Sequence, residues 1–278
     1  MGNMTGIQWK SNIFLLTLLG AMILLVAAKP APDKYELINS LPIAGKSIST
    51  DQLRNVYVVT QNNLVERYDS SGTLTGRFSE NRYGNLNIVD ASSPFNLLYF
   101  YADTKTVLTG DVKMNVKNLF KLSTIGINLP RAACLSYDNY IWVFDGSDNK
   151  LKKVNNNYEI TYTSEDITMF VGQSINPNFI VERDGFIFLN DPGLGILVFD
   201  RYGTYYNAFP IPGLSSFQVI KNMVLYQDGN SLRIYNYSTR ETKSIPLPTT
   251  EPIKSIRLER GRLFILTETE LKIYSESE

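Results

Sequence analysis

The residues of this sequence that could do chemistry are concentrated in six short polar turns, each of which separates two apolar runs. Most of these turns carry more than one carboxylate or amide side chain. Because calcium is a hard cation that takes about six to eight oxygen ligands, a ring of such turns around one opening could hold Ca²⁺. The turns are Asn62–Asn63, Asp103–Lys105, Asp145–Asn149, Asn190–Gly193, Gln227–Asn230 and Glu268–Glu270.

The same turns have a simpler interpretation. Asp-Gly, Asn-Asn and Pro-Gly pairs supply the backbone conformations that tight hairpin turns require. None of the six turns has the alternating Asp-x-Asp-x-Asp-Gly pattern of a dedicated calcium loop. We therefore expect turn formation to be their main role and expect no cofactor, with Ca²⁺ as the one metal that these side chains could bind.

Composition excludes several kinds of catalysis. The 278 residues include no histidine and a single cysteine, so Ser-His-Asp and Cys-His catalysis and histidine-ligated metals are impossible in this chain. Cys134 lies in the apolar stretch 132–136 and is predicted to be a buried, inert thiol. The 27 basic and 27 acidic residues balance, which leaves no electrostatic signature of a nucleic-acid partner.

The apolar runs form a repeating unit of roughly 40 residues, a period typical of β-propellers. In one copy Val56–Thr60 leads through a turn into Leu64–Tyr68, and in another Phe186–Leu189 leads into Ile196–Phe199. Each repeat is consistent with four short antiparallel strands. The predicted blades are Ser47–Phe78, Gly84–Leu122, Ile127–Phe170, Asn176–Pro210, Ser215–Pro248 and Pro252–Tyr274.

The two ends of the repeat region complement one another. The last repeat stops after its third strand, at Ile273–Tyr274, while a spare strand, Tyr35–Ile43, precedes the first repeat. An open ring would expose unpaired strand edges, and pairing of the two ends removes them. The sequence therefore predicts an all-β, six-bladed β-propeller that is closed by an N-terminal strand.

Two repeats contain the same turn at the same distance from an aromatic residue. Asp69-Ser70-Ser71-Gly72 is followed by Phe78, and Asp200-Arg201-Tyr202-Gly203 is followed by Phe209. In this respect the region Lys34–Glu278 resembles NHL-like and TolB-like six-bladed β-propellers. The resemblance implies the architecture without selecting a subfamily. Calcium-dependent lactonases on such propellers use a ring of carboxylates, so the resemblance also implies that kind of metal site as an alternative.

An apolar segment precedes the repeats. Ile13–Ala28 carries no charge, follows Lys10, ends in Val26-Ala27-Ala28 and is followed by a Pro-rich linker, Lys29–Asp33. These features predict either a secretory signal peptide cleaved after Ala28 or an uncleaved membrane anchor. On both interpretations we expect residues 34–278 to be exported, in the periplasm or facing the periplasm or exterior. The absence of structural disulfides fits a bacterial envelope.

Propellers usually bind their ligands where the turns between second and third strands and the crossovers between blades converge. We therefore expect a non-catalytic binding or scaffolding module of the cell envelope whose partner is a protein, a peptide or a glycan. The alternatives are a calcium-dependent hydrolase of the propeller lactonase type and a small-ligand receptor that signals through a separate membrane protein. The predicted binding residues come from the crossovers and the polar turns, namely Arg82, Tyr83, Arg131, Asn176, Asp145, Asp191 and Asp228.

Overall fold

Residues 34–277 are described by the computed structural model, and they form six four-stranded antiparallel sheets that are the blades of a β-propeller. The predicted all-β class and the six blades are thus confirmed. In five of the sheets the strands follow one another in chain order from the centre of the ring to its rim. The first strand, β1 (Tyr35–Leu41), belongs to the sixth sheet.

The first three blades follow β1 along the chain. Blade 1 contains β2 (Gly45–Thr50), β3 (Val56–Thr60), β4 (Leu64–Tyr68) and β5 (Leu74–Ser79). Blade 2 contains β6 (Ile88–Ser93), β7 (Asn96–Tyr101), β8 (Thr106–Gly110) and β9 (Val116–Lys121). Blade 3 contains β10 (Pro130–Leu135), β11 (Ile141–Asp145), β12 (Lys150–Val154) and β13 (Ile160–Thr163).

The last three blades complete the ring. Blade 4 contains β14 (Phe179–Arg183), β15 (Phe186–Asp191), β16 (Gly195–Asp200) and β17 (Tyr205–Phe209). Blade 5 contains β18 (Gln218–Ile220), β19 (Met223–Asp228), β20 (Ser231–Asn236) and β21 (Glu241–Pro246). Blade 6 contains β22 (Ile253–Glu259), β23 (Arg262–Thr267) and β24 (Leu271–Glu276), with β1 as its outermost strand.

Blade 6 joins the two ends of the described chain. β24 pairs with β23 on one side and with β1 on the other, in a register that places Tyr35 opposite Glu276 and Leu41 opposite Leu271. Lys34 adds an ion pair to Glu276 at 3.3 Å. Because β1 covers β24, the third strand of this blade has no open edge.

Burial explains why the second strands of the blades are apolar over their whole length. Each blade lies between two others, so both faces of its inner strands are covered, and every residue of β7 and β11 is buried. The outer strands face solvent on at least one side, and β21 is mostly exposed. Second strands such as β7 and β11 are therefore buried along their whole length, whereas burial alternates along the innermost strand β14.

Among residues 34–277, helical structure is confined to two short pieces in the crossovers. A 3-10 turn spans Leu122–Ile125 and one helical turn, α1, spans Thr168–Val171. The third predicted blade was therefore too long, because it included α1. Within residues 34–277 no helix is long and apolar enough to cross a membrane. The predicted signal peptide or anchor, 1–28, and the linker, 29–33, lie outside the described residues.

Candidate functional site: the mouth face and the central channel

The ring has two faces that differ in the turns they present. Because neighbouring strands are antiparallel, the turns between second and third strands lie at the same end of the blades as the crossovers between blades, and we call this end the mouth face. The turns between first and second strands and between third and fourth strands form the opposite end, the far face. The seven predicted binding residues all belong to elements of the mouth face.

Asp145, at the end of β11, is fully buried, and both of its carboxylate oxygens accept hydrogen bonds. Its carboxylate accepts hydrogen bonds from the backbone N–H groups of Asn128, Leu129 and Ser147, over 2.9 to 3.1 Å, and from Lys152 Nζ at 2.7 Å. Burial acts to raise the pKa of Asp145, but these hydrogen bonds outweigh it and lower the pKa to about 2. The structure thus gives Asp145 the role of holding the crossover that enters blade 3.

Asp191 holds the crossover that enters blade 4, and Asn176 lies in that crossover. The Asp191 carboxylate accepts from the backbone N–H of Asn176 at 2.6 Å and from that of Gly193 at 2.7 Å. The bond to Asn176 fixes the long crossover between blades 3 and 4, whereas the bond to Gly193 closes the tight turn after β15. Asp191 is buried, while the Asn176 side chain remains exposed at the mouth face.

The other four predicted residues offer more accessible side chains. Asp228 is exposed and pairs with Arg233 at 2.9 Å. Arg82 is exposed and is held by Glu80, with 2.6 Å between Nη2 and Oε2. Tyr83 lies beside it and packs its ring against Tyr101, with 5.7 Å between centroids. The remaining member of this group is Arg131, whose side chain is exposed at the start of β10.

The described residues 34–277 contain no group of three or more acidic or cysteine side chains that could hold a metal ion. Asp145 and Asp191 bind backbone N–H groups of different crossovers instead of converging on a common point. The ring of carboxylates that the sequence suggested is therefore distributed over separate turns.

The centre of the ring contains a channel that opens at the mouth face. Its outer part, which we call the mouth cavity, has a volume of about 180 Å³ and is lined mainly by serine, asparagine and lysine side chains with one arginine, Arg257. Its inner part, the deep channel, is narrow, about 50 Å³, and also has Phe179 and Phe217 in its wall. The first strands β2, β6, β14 and β22 contribute to both parts.

Arg257 is the functional candidate that the sequence did not indicate. It lines the mouth cavity, the deep channel and a side cavity between blades 5 and 6, and its side chain is partly buried. Among residues 34–277 no carboxylate lies within ion-pair distance of it, and its guanidinium donates to the carbonyl of Ile256 at 2.8 Å. Burial lowers the pKa of Arg257 to about 10, so the group stays protonated at neutral pH.

Two carboxylates of first strands connect neighbouring blades. Glu182 is buried and accepts from Ser136 Oγ at 2.7 Å and from Trp142 Nε1 at 2.8 Å, which ties blade 4 to blade 3. Asp90 of blade 2 accepts from the backbone N–H of Leu135 in blade 3 at 2.8 Å. Of these two carboxylates Asp90 lines the deep channel, together with Arg183 and Arg257.

Cys134 lies in the wall between these blades and is fully buried. Burial, together with Asp90 and Glu182, raises the pKa of its thiol well above the ordinary value. The thiol is protonated at neutral pH, in agreement with the predicted inert cysteine.

Solved structures with this architecture come from different functional classes. Virginiamycin B lyase from Staphylococcus aureus is similar to this chain with a TM-score of 0.60 and 13% identity, over 87% of this chain and 99% of the lyase. A catalytically inactive His-to-Ala variant of that lyase with quinupristin gives 0.59 and 12%, over 87% and 99%. The WD40 domain of Neurospora crassa Pan2 gives 0.58 and 9%, over 88% and 96%.

At these identities the similarity establishes the fold alone. No protein-family model matches this sequence, and no curated protein matches it either. The class that fold and site define is a six-bladed β-propeller with a channel open at its mouth face.

Proposed function

We propose that this chain is a non-catalytic binding propeller of the bacterial cell envelope, which recognises a protein, a peptide or a glycan through its mouth face. One observation carries the proposal. The mouth cavity is open and polar, and among the described residues its wall contains cations, hydroxyls and amides but no carboxylate, thiol or phenol. Such a wall can hold a ligand by hydrogen bonds and charge. Its two lysines, which could otherwise activate a serine hydroxyl, donate instead to Asn63 Oδ1 at 3.0 Å and to Glu268 Oε2 at 2.6 Å.

The surroundings of the cavity favour recognition. Arg82, Tyr83 and Arg131 lie on the same face as the opening and provide planar contact area and directional hydrogen bonds, which binding sites use disproportionately. Asp145 and Asp191 hold the adjacent crossovers by backbone hydrogen bonds. A surface that is fixed before the partner arrives loses little conformational entropy on binding.

The enzymatic neighbours do not provide a mechanism that this chain could use. The His-to-Ala variant of the staphylococcal lyase is catalytically inactive, and this chain contains no histidine. A calcium-dependent hydrolase would need a cluster of oxygen ligands, and residues 34–277 bring no three acidic side chains together. A rise in melting temperature on adding calcium, reversed by a chelator, would favour that alternative.

We further propose that Ile13–Ala28 directs export and that it is either cleaved after Ala28 or retained as an anchor. The support is its uncharged apolar composition after Lys10 and the small residues that end it. N-terminal sequencing of the protein from its native envelope tests this. A mature start at Lys29 indicates cleavage, an intact Met1 in the membrane fraction indicates an anchor, and an intact Met1 in the cytoplasm contradicts export.

The binding role is tested by photo-crosslinking from defined positions of the full-length chain in its native envelope. A photoreactive residue replaces Tyr83 or Arg131 on the mouth face in one set, and Phe95 or Tyr137 in the other. The latter two are matched controls because they are exposed by 69% and 64% in turns of the far face. We expect the same crosslinked partner from both mouth positions and none from the controls. Crosslinks from the far face alone, or from no position, would contradict the proposal.

A further inference from the structure

We propose that Arg257 binds the carboxylate of a ligand that enters the channel from the mouth face, and that this ligand carries an apolar side chain next to its carboxylate, as the C-terminal end of a peptide does. The inference rests on the proposed binding role of the mouth face and specifies the ligand chemistry of that site. Four features of the channel support it.

The first feature is the position of Arg257. It lies in the middle of β22, and its side chain lines the mouth cavity, the deep channel and the side cavity at once. A ligand that passes from the mouth cavity into the deep channel therefore meets the guanidinium on its way. An arginine at such a junction can orient a ligand as well as bind it.

The second feature is the charge balance. Lys254 also lines the mouth cavity, but its Nζ forms an ion pair with Glu268 Oε2 at 2.6 Å. Arg257 has no such partner among the residues that the structure describes. Because a partly buried cation without a counterion is unfavourable, an entering anion gains more from Arg257 than it would from an exposed arginine.

The third feature is a set of hydroxyl groups that line the same cavities as Arg257. Ser49 lines both the mouth cavity and the deep channel, and its buried Oγ has no hydrogen-bond partner among residues 34–277. Ser215 and Ser216 of the crossover before blade 5 line the same mouth cavity. Hydroxyl donors beside a guanidinium complete the hydrogen bonding of an oxyanion.

The fourth feature is the apolar part of the channel wall. Phe179 packs edge to face on Phe217, with 5.2 Å between their centroids, and borders both the mouth cavity and the deep channel. Ile88 and Val89 also border both parts. A ligand whose carboxylate reaches Arg257 can therefore place an apolar side chain against these residues.

The charge balance of the deep channel favours a monoanion. Asp90 and Arg183 both line the deep channel, so their charges offset one another and Arg257 supplies one further positive charge. A carboxylate matches that single charge, whereas a phosphate dianion would exceed it. We therefore assign the site to a carboxylate instead of a phosphate.

The test measures binding of three probes to the full-length protein in mild detergent by calorimetry. The probes are 3-phenylpropanoate, its uncharged amide 3-phenylpropanamide and inorganic phosphate. The variants are Arg257→Gln, Arg257→Lys and, as a matched control, Arg201→Gln, which removes an exposed arginine from a turn of the far face. Circular dichroism and thermal melting verify that each variant is folded.

We expect 3-phenylpropanoate to bind the wild-type protein and the Arg201→Gln control with equal affinity. Its affinity for Arg257→Gln should be at least tenfold lower. The affinity of Arg257→Lys for 3-phenylpropanoate should lie between these two values, since lysine keeps the positive charge but lacks the paired N–H donors of a guanidinium. Absence of carboxylate binding to the wild type, equal binding of the amide, tighter binding of phosphate or full binding by Arg257→Gln would each overturn the assignment.

The photo-crosslinking experiment separates this inference from the function on which it rests. Suppose that the partner still crosslinks to the mouth positions of the Arg257→Gln variant and that 3-phenylpropanoate does not bind the wild-type protein. The carboxylate site would then be overturned, and the binding role would remain. If no partner crosslinks to the mouth positions of the protein that retains Arg257, the binding role is contradicted instead.

Discussion

Lys152 donates a hydrogen bond to Asp145 over 2.7 Å inside blade 3, and both side chains are nearly inaccessible to solvent. Lys152 also contacts Asp148 at 2.8 Å in the turn that follows β11. The turn that the sequence suggested as a source of metal ligands therefore contains its own cation. Its carboxylates stabilise the blade, and this leads to the first two predictions.

Replacing Asp145 by Ala should lower the free energy of unfolding by about 3–5 kcal/mol, because it leaves the buried Lys152 ammonium with Asp148 alone and leaves the N–H groups of Asn128, Leu129 and Ser147 without their acceptor. Denaturant unfolding measures the change. Asp228→Ala is the matched control, since its pair with Arg233 is exposed and should contribute at most about 1 kcal/mol. Equal effects of the two substitutions would contradict the structural role of Asp145.

Stability should depend on the ionisation of Asp145 in acid. Its pKa is lowered to about 2 in the folded protein, so the unfolded chain binds the proton more readily. The contribution is fully present above the ordinary pKa of an aspartate, about 4, and is lost as the pH falls from there toward 2. Melting temperatures recorded between pH 7 and pH 2 should decline below about pH 4. An equally steep decline in Asp145→Asn would exclude this residue as a cause.

Glu182→Gln should loosen the contact between blades 3 and 4. The carboxylate accepts from the backbone N–H of Tyr137 at 3.3 Å as well as from Ser136 and Trp142, and an amide group cannot accept at both of its ends. We expect a loss of about 1–3 kcal/mol and a shift in the emission of Trp142.

The fluorescence is measured in a Trp9→Phe background, which leaves Trp142 as the single tryptophan of the chain. Glu241→Gln, at an exposed position in blade 5, serves as the control and should change neither quantity. An unaltered emission spectrum in Glu182→Gln would argue against a carboxylate next to the indole of Trp142.

Arg257→Met should stabilise the unliganded protein while it abolishes carboxylate binding. Methionine keeps the apolar stem and removes a charge that has no counterion among the described residues, so a gain of about 1–3 kcal/mol is expected. The melting temperature with and without 3-phenylpropanoate measures both effects. A lower melting temperature without the probe would show that the guanidinium is itself needed for packing.

Local patterns were sufficient to predict the strands. Val56–Thr60 and Leu64–Tyr68 were predicted from apolar runs around a polar turn, and they coincide with β3 and β4. The predicted blades match the observed ones apart from small shifts at their ends and the inclusion of α1 in blade 3. Such agreement is expected because strand and turn formation depend on neighbouring residues.

The candidate site could be predicted only in part. The polar turns and the crossovers were placed on one face by topology alone, since antiparallel strands alternate in direction. What each carboxylate does there depends on its partners. Asp191 bonds to Asn176, which precedes it by 15 residues, and no local pattern marks that contact.

The sequence by itself determined the number of strands, their grouping into six repeats and the exclusion of histidine chemistry, because these follow from residue types and short-range periodicity. Only the tertiary structure decided that Glu182 joins Trp142 across 40 residues and that Arg257 faces a channel instead of solvent. Within β22 Arg257 looks like any polar residue of an alternating strand. The channel arises only when six sheets pack around one axis, so its charges depend on distances between segments that are far apart along the chain.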